Sequence, residues 1–451
     1  MLNKKARYVA LALVVAGLWL VFSVNQTQAV PSLARQVGMS CTACHTVYPE
    51  LTPFGRKFKL TGYTASKRAD KPYEWPPPVA AMAQFSFTHT NKDLPNNVLP
   101  PHDHGNNNWD TPQAVSLFLA GRLYGPLGIF AQGTYDGLSR EFFLDNTDIR
   151  LAKTLSLCGR ELIIGATVNN NPTVQDVLNT TPAWGFPWAG SGVALGPTPA
   201  TFIEGGLAQL VGGGGVYAYW NNLLYLETSL YGSVDKGPLS WMGIGTPTSP
   251  ILDGVAPYWR MFLNHQWKEH SLAVGTFGMW GHTFPGDQTR GMSDHFVDMG
   301  FDAQYQYITS KHIVSVKATF IHEWQDWVAS NALKATLNQN DYLNSYKVNL
   351  SYYYRSSYGT FGGTAGYFDI TGKADPILYA PNPGDGSQGL PKSNGFIFEV
   401  NYLPWAPWDR AKFSLQYVLY DRFNGARTNY DGFGRNAADN NTLYLLFWLA
   451  I

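Results

Sequence analysis

Cys41-Thr42-Ala43-Cys44-His45 is a run whose residue types and spacing prescribe a covalent chemistry. Two thiols at i and i+3, followed at once by an imidazole, match the C-x-x-C-H attachment site of a c-type haem. The thiols form thioethers to the haem vinyl groups, and the histidine is placed as the proximal iron ligand. The same cysteine spacing also serves redox dithiols and half of a zinc site. A zinc site needs a second ligand pair at matching spacing, and the remaining cysteine, Cys158, stands alone far downstream in an expected short turn. The expectation is one covalently attached haem c on Cys41, Cys44 and His45, in a protein that moves electrons.

Haem attachment of this kind takes place outside the cytoplasm, and residues 1–29 read as an export signal. Lys4, Lys5 and Arg7 precede an apolar run over 9–22, and small residues lead to a cleavage site at Ala29. That run is too short for a membrane-spanning helix. Its removal leaves 29 basic against 32 acidic residues, a net charge near −3 that argues against a nucleic-acid partner.

The remaining composition suits an all-β protein, an outer-membrane antiparallel β-barrel. There are 45 Gly, 26 Tyr, 25 Phe and 15 Trp in 451 residues, only 14% are charged, and no second long apolar run appears. A helical membrane protein shows such runs, whereas barrel strands hide their apolarity by alternation. A soluble β-sandwich or jelly roll is the alternative. In 343–355, Tyr346, Val348, Leu350, Tyr352 and Tyr354 share one face and Lys347, Asn349, Ser351 and Arg355 the other. Segment 410–424 sets Phe413 and Leu415 against Lys412, Ser414 and Gln416, and 312–327 sets Val314 and Val316 against Ser315 and Lys317.

Sixteen such strands are predicted, at 79–90, 113–125, 127–138, 142–155, 160–170, 202–220, 222–234, 256–268, 270–284, 293–309, 312–327, 343–355, 358–371, 393–405, 410–424 and 440–451. The connections alternate short and long, as periplasmic turns and extracellular loops do, except for the short 139–141. Segment 202–220 is kept whole, its glycines 212–215 reading as a kink or bulge. Trp405 and Trp408, near a short turn, read equally as interfacial girdle or core. Arg122, Asp148, Arg150, Lys317, Glu323, Lys347, Arg355, Glu399 and Lys412 are expected to face the lumen and hold wall and contents together.

The organisation is therefore a signal over 1–29, a haem-binding segment over 30–78 and a transmembrane barrel over 79–451. The middle segment is too short to build a complete cytochrome core of its own, so it belongs inside the barrel or at its periplasmic mouth. Here the chain resembles the outer-membrane monohaem cytochrome–porin fusions of iron-oxidising bacteria. The resemblance lies in Pro31-Ser32-Leu33-Ala34-Arg35-Gln36, in Cys41 to His45, in Tyr48-Pro49-Glu50-Leu51, in Phe54-Gly55-Arg56 and in Phe58-Lys59-Leu60-Thr61-Gly62-Tyr63. It implies a single c-type haem, a barrel of sixteen strands, and oxidation of extracellular Fe(II) with electrons passed inward. The implied partners are Fe(II), a periplasmic cytochrome c or cupredoxin, and outer-membrane lipid.

Several roles stay open at this stage. Met82, on the lumen face of the first strand with Gln84, Ser86 and Thr88, is a candidate sixth iron ligand; its alternative is packing. Arg35, Arg56, Lys57 and Lys59 are candidates for the haem propionates or for acidic groups of the wall. His102 and His104, followed by Asp110, are candidates for surface iron capture. The competing functions are a porin with a structural or gating haem, and a haem peroxidase or reductase acting on another extracellular substrate.

Overall fold

In the computed structural model, residues 31–68, 71, 75–95, 105–244, 250–286, 288–379, 389–405 and 410–451 are described. The expected signal, His102, His104 and Trp408 lie outside them. Among the described residues three short helices come first: α1 (Pro31–Val37), α2 (Cys41–Cys44) and α3 (Pro53–Leu60). The strands follow: β1 (Val79–Thr90), β2 (Asn107–Tyr124), β3 (Leu127–Asp136), β4 (Glu141–Leu157), β5 (Arg160–Asn169), β6 (Val211–Trp220), β7 (Leu224–Ser233), the two-residue β8 (Ile251–Leu252), β9 (Val255–Trp267), β10 (His270–Phe284), β11 (Asp294–Ile308), β12 (His312–Asp326), β13 (Asn340–Ser356), β14 (Gly359–Gly372), β15 (Ser393–Pro404), β16 (Ala411–Arg422) and β17 (Thr442–Ala450).

Sixteen of these form one closed antiparallel barrel, each predicted strand having its counterpart. β1 closes it, pairing with β2 on one side and with β17 on the other, from Met82 opposite Ala450 to Thr90 opposite Thr442. β7 pairs directly with β9, and β8 only extends the ladder beside β10.

The period-2 pattern sorts the side chains. On β13, Val348, Leu350 and Tyr352 are exposed outside, while Asn349 and Ser351 are buried within. The long-loop end carries Trp109, Phe142, Trp280 and Trp324 outward, and the short-turn end carries Tyr124, Trp267 and Tyr354. An apolar band between aromatic rings, a polar interior and no free sheet edge are what a bilayer demands of a β-protein. The chain is an integral outer-membrane barrel. Among the described residues no helix is long and apolar enough to cross a membrane.

Three expectations need correction. The predicted strand 202–220 begins only at Val211, with neither kink nor turn at the glycines. Gly213 and Gly215 stay in the ladder, and a Cβ on Gly213 would run into the ring of Tyr231 on β7. Gly213 seats a buried ring. Residues 202–210 instead leave the wall, burying Ile203 and Leu207 in the same cluster as Tyr231. Asp110, grouped above with a surface loop, lies in β2 with its side chain buried.

The long connection after β5 was expected as an extracellular loop, yet Val174, Val177 and Leu178 are almost wholly buried. It folds back into the lumen. Val177 and Leu178 join Leu60 of α3 and the wall residues Ile163, Tyr217 and Phe262 in one apolar cluster. The lumen is thus filled from both ends, by the N-terminal plug and by this inward loop.

Candidate functional site

One turn of helix, α2, brings Cys41 and Cys44 to the same side, and His45 leaves it in extended backbone while its N–H still donates to the Cys41 carbonyl over 2.9 Å. Thr52 locks this turn to the next helix. It caps α3 by accepting from Gly55 N–H, its hydroxyl donates to the Ala43 carbonyl over 2.6 Å, and its N–H donates to the Cys44 carbonyl. Pro53 at the first helical position needs no partner for the N–H it lacks. Gly55 lies against Cys44 so closely that a Cβ would overlap the Cys44 carbonyl.

Cys41, Cys44 and His45 line one cavity of about 420 Å³ inside the barrel. That volume falls within the range of about 300–1,000 Å³ typical of cofactor sites. Leu33, Phe58, Phe118, Phe130 and Trp448 give it an apolar lining, and Trp184 and Trp188 come from the inward loop. The His45 Nδ1 lies 3.3 Å from the Pro49 carbonyl, which orients the ring and leaves Nε2 for a metal. Burial lowers the His45 pKa to about 4, against the Pro49 and Glu50 carbonyls and the Glu50 charge, which raise it. The imidazole is neutral at ordinary pH, as an iron ligand must be.

These residues fit a covalent haem. Two thiols and a neutral imidazole face an apolar chamber, and the buried indole N–H of Trp188, a lining residue, has no hydrogen-bond partner among the described residues. Lys59 and Met82 line the same cavity. Lys59 donates to the Val174 and Asp176 carbonyls over 2.6 and 2.9 Å, and burial, then the Arg150 charge, push its pKa down to about 7.

The other basic candidates turn to the protein. Arg56 donates to Gln306 and Ser271 of the wall at 2.6 Å each, Lys57 pairs with Glu161 at 2.8 Å, and Arg35 donates to the Val79 carbonyl. Among the lumen charges, Lys317 pairs with Glu50 of the plug, Arg150 with Asp148, and Lys347 with Glu204 of the inward loop. Lys412 lies 3.8 Å from Glu399 and donates to the Tyr48 carbonyl, and Arg122 donates to the Arg68 carbonyl. Glu323 accepts from Phe202 N–H, whereas Arg355 donates to the Thr309 carbonyl at its own end of the wall. Trp405 is half-buried and donates to the Ser356 carbonyl, and Cys158 is an exposed free thiol in its turn.

The inward loop is what sequence reading missed. Asn179 accepts from Leu51 N–H over 2.9 Å, and Asp176 pairs with Arg260 at 3.0 Å, so plug, loop and wall share one polar network. The signal was present in 174–188, whose Val, Leu, Phe and Trp are ill suited to a solvated loop.

No family model matches the chain, and no curated protein matches its sequence. Among solved structures it is similar to OmpF of Salmonella typhi in complex with daunomycin, at 10% identity and a TM-score of 0.46, covering 83% of this chain and 97% of that one. An anion-selective porin from Comamonas acidovorans gives 12% identity and 0.45, with 83% and 98% covered. A loop L8 deletion mutant of OmpT of Vibrio cholerae gives 9% and 0.42, with 83% and 99% covered. The barrel assignment rests on the closed hydrogen-bond ladder itself.

Proposed function

We propose that this chain is an outer-membrane monohaem c-type cytochrome that oxidises extracellular Fe(II) and passes the electrons to a soluble periplasmic cytochrome c or cupredoxin. The observation that carries the proposal is the meeting of Cys41, Cys44 and His45 on one cavity within a closed membrane barrel. Cys41 and Cys44 would hold the haem as thioethers, and His45 would bind its iron. Bound there, a haem supplies a one-electron couple between a donor outside and an acceptor inside.

The chain's own residues supply position and insulation. The barrel carries the site into a hydrocarbon core about 30 Å thick that electrons do not otherwise cross. The plug and the inward loop fill the lumen, so an electron can pass where a solute channel would leak. Fe(II) needs no proton-transfer group to give up one electron, and its oxidised product stays outside the cell. The similarity of residues 31–63 to the cytochrome–porin fusions supports the same donor.

The test is to mix purified, oxidised protein in detergent with Fe(II) under anoxia and follow the haem by its visible spectrum. Rapid reduction, lost in Cys44→Ala and His45→Ala, is the expected result. A haem reduced by dithionite but not by Fe(II) would move the donor to another extracellular reductant.

A further inference from the structure

On the haem reading, His45 of the plug would supply one iron ligand, and the wall holds the means to supply the other. Strand alternation turns Met82 of β1 into the lumen, where it is 7% exposed and lies with Ala80, Phe118 and Ala120. It lines the cavity that Cys41, Cys44 and His45 line from the plug. From this placement we propose that Met82 is the sixth ligand of the haem iron, so that the iron bridges plug and barrel wall; the inference rests on the haem reading above.

The chemistry of the cavity lining selects this residue. Among the described lining residues, Met82 alone outside the C-x-x-C-H run carries a thioether, imidazole or thiol. The Tyr63 hydroxyl donates to Asp148 over 2.5 Å, and Lys59 is held by two carbonyls. Asp145 accepts from Thr134 and Gln209. A thioether is neutral and soft, needs no deprotonation, and keeps its donor pair in apolar surroundings, where carboxylates and amines pay a desolvation penalty. Met39, nearer the motif in sequence, is 45% exposed and absent from this lining.

The consequence is architectural. A methionine on the plug would complete the iron wherever the plug went, whereas Met82 completes it only when the plug is seated. Methionine–histidine ligation also raises the reduction potential relative to a site that lacks the thioether.

The experiment compares purified full-length protein with Met82→Leu and Met82→His. Leucine keeps the side-chain volume, so the wall should fold as before. Heat-modifiable electrophoretic mobility reports the folded barrel, and haem-specific absorbance of the denatured chain reports covalent attachment. The ferric wild type should show the far-red sulfur-to-iron charge-transfer band. Met82→Leu should keep its haem, lose that band, bind added imidazole more tightly and shift to lower potential. Met82→His should stay low-spin without the band. A haem-loaded Met82→Leu with the wild-type ferric spectrum would overturn the ligation and leave the cytochrome standing. A folded wild type carrying no covalent haem would overturn both.

Discussion

The ammonium of Lys317, on the barrel wall, lies 3.0 Å from the carboxylate of Glu50 in the plug, and both side chains are shut off from water. Thr46 adds a hydroxyl donor to Glu50 at 2.6 Å. Removing one partner strands a buried charge at a cost of about 3–5 kcal/mol, while replacing both with apolar groups is often neutral. Glu50→Ala should therefore loosen the plug, raise ion conductance across planar bilayers from a low wild-type level and speed proteolysis of residues 31–68. Glu50→Leu paired with Lys317→Met should bring both readings back toward wild type. Identical conductance and cleavage in all three proteins would show that this pair does not hold the plug.

Gly55 tests the contact between the attachment turn and the helix behind it. Its missing Cβ lets α3 approach the Cys44 carbonyl, a backbone atom that cannot swing aside. Gly55→Ala should cost about 1–3 kcal/mol of local strain, as overpacking does, and displace the turn. The expected outcome is less covalent haem per folded barrel, read from the ratio of haem to protein absorbance. Full loading in this variant would mean that the close approach is incidental.

Val348 tests the membrane face. It points outward near the middle of β13, 44% exposed, where the surrounding solvent is lipid. Lysine there should cost about 2–4 kcal/mol, against about 0–1 kcal/mol near an interface. Unfolding in phospholipid vesicles by urea should therefore separate Val348→Lys from Tyr354→Lys at the short-turn end. Equal stabilities would contradict the assigned depth.

The parts of this protein that follow from local chemistry were legible in its sequence. Alternation over a dozen residues determines which side chains face lipid and which face the lumen, because successive Cβ atoms point to opposite sides of a strand. It placed Val348 and Leu350 outside and Ser351, Lys317 and Met82 inside. The spacing of Cys41, Cys44 and His45 fits a single helical turn for the same reason: the relevant atoms are close in sequence. The fate of 171–210 was only partly legible, since the apolar residues of 174–188 signal burial but not which contacts bury them. Only the tertiary structure decided that Lys59 meets Val174, that Leu51 meets Asn179 and that Gly213 seats Tyr231. These contacts join residues far apart in the chain, and what selects them is the need to fill the lumen and satisfy every buried polar group at once. The shared cavity of His45 and Met82 belongs to that second class: each residue announced itself, and the closing of the barrel around the plug brought them to one chamber.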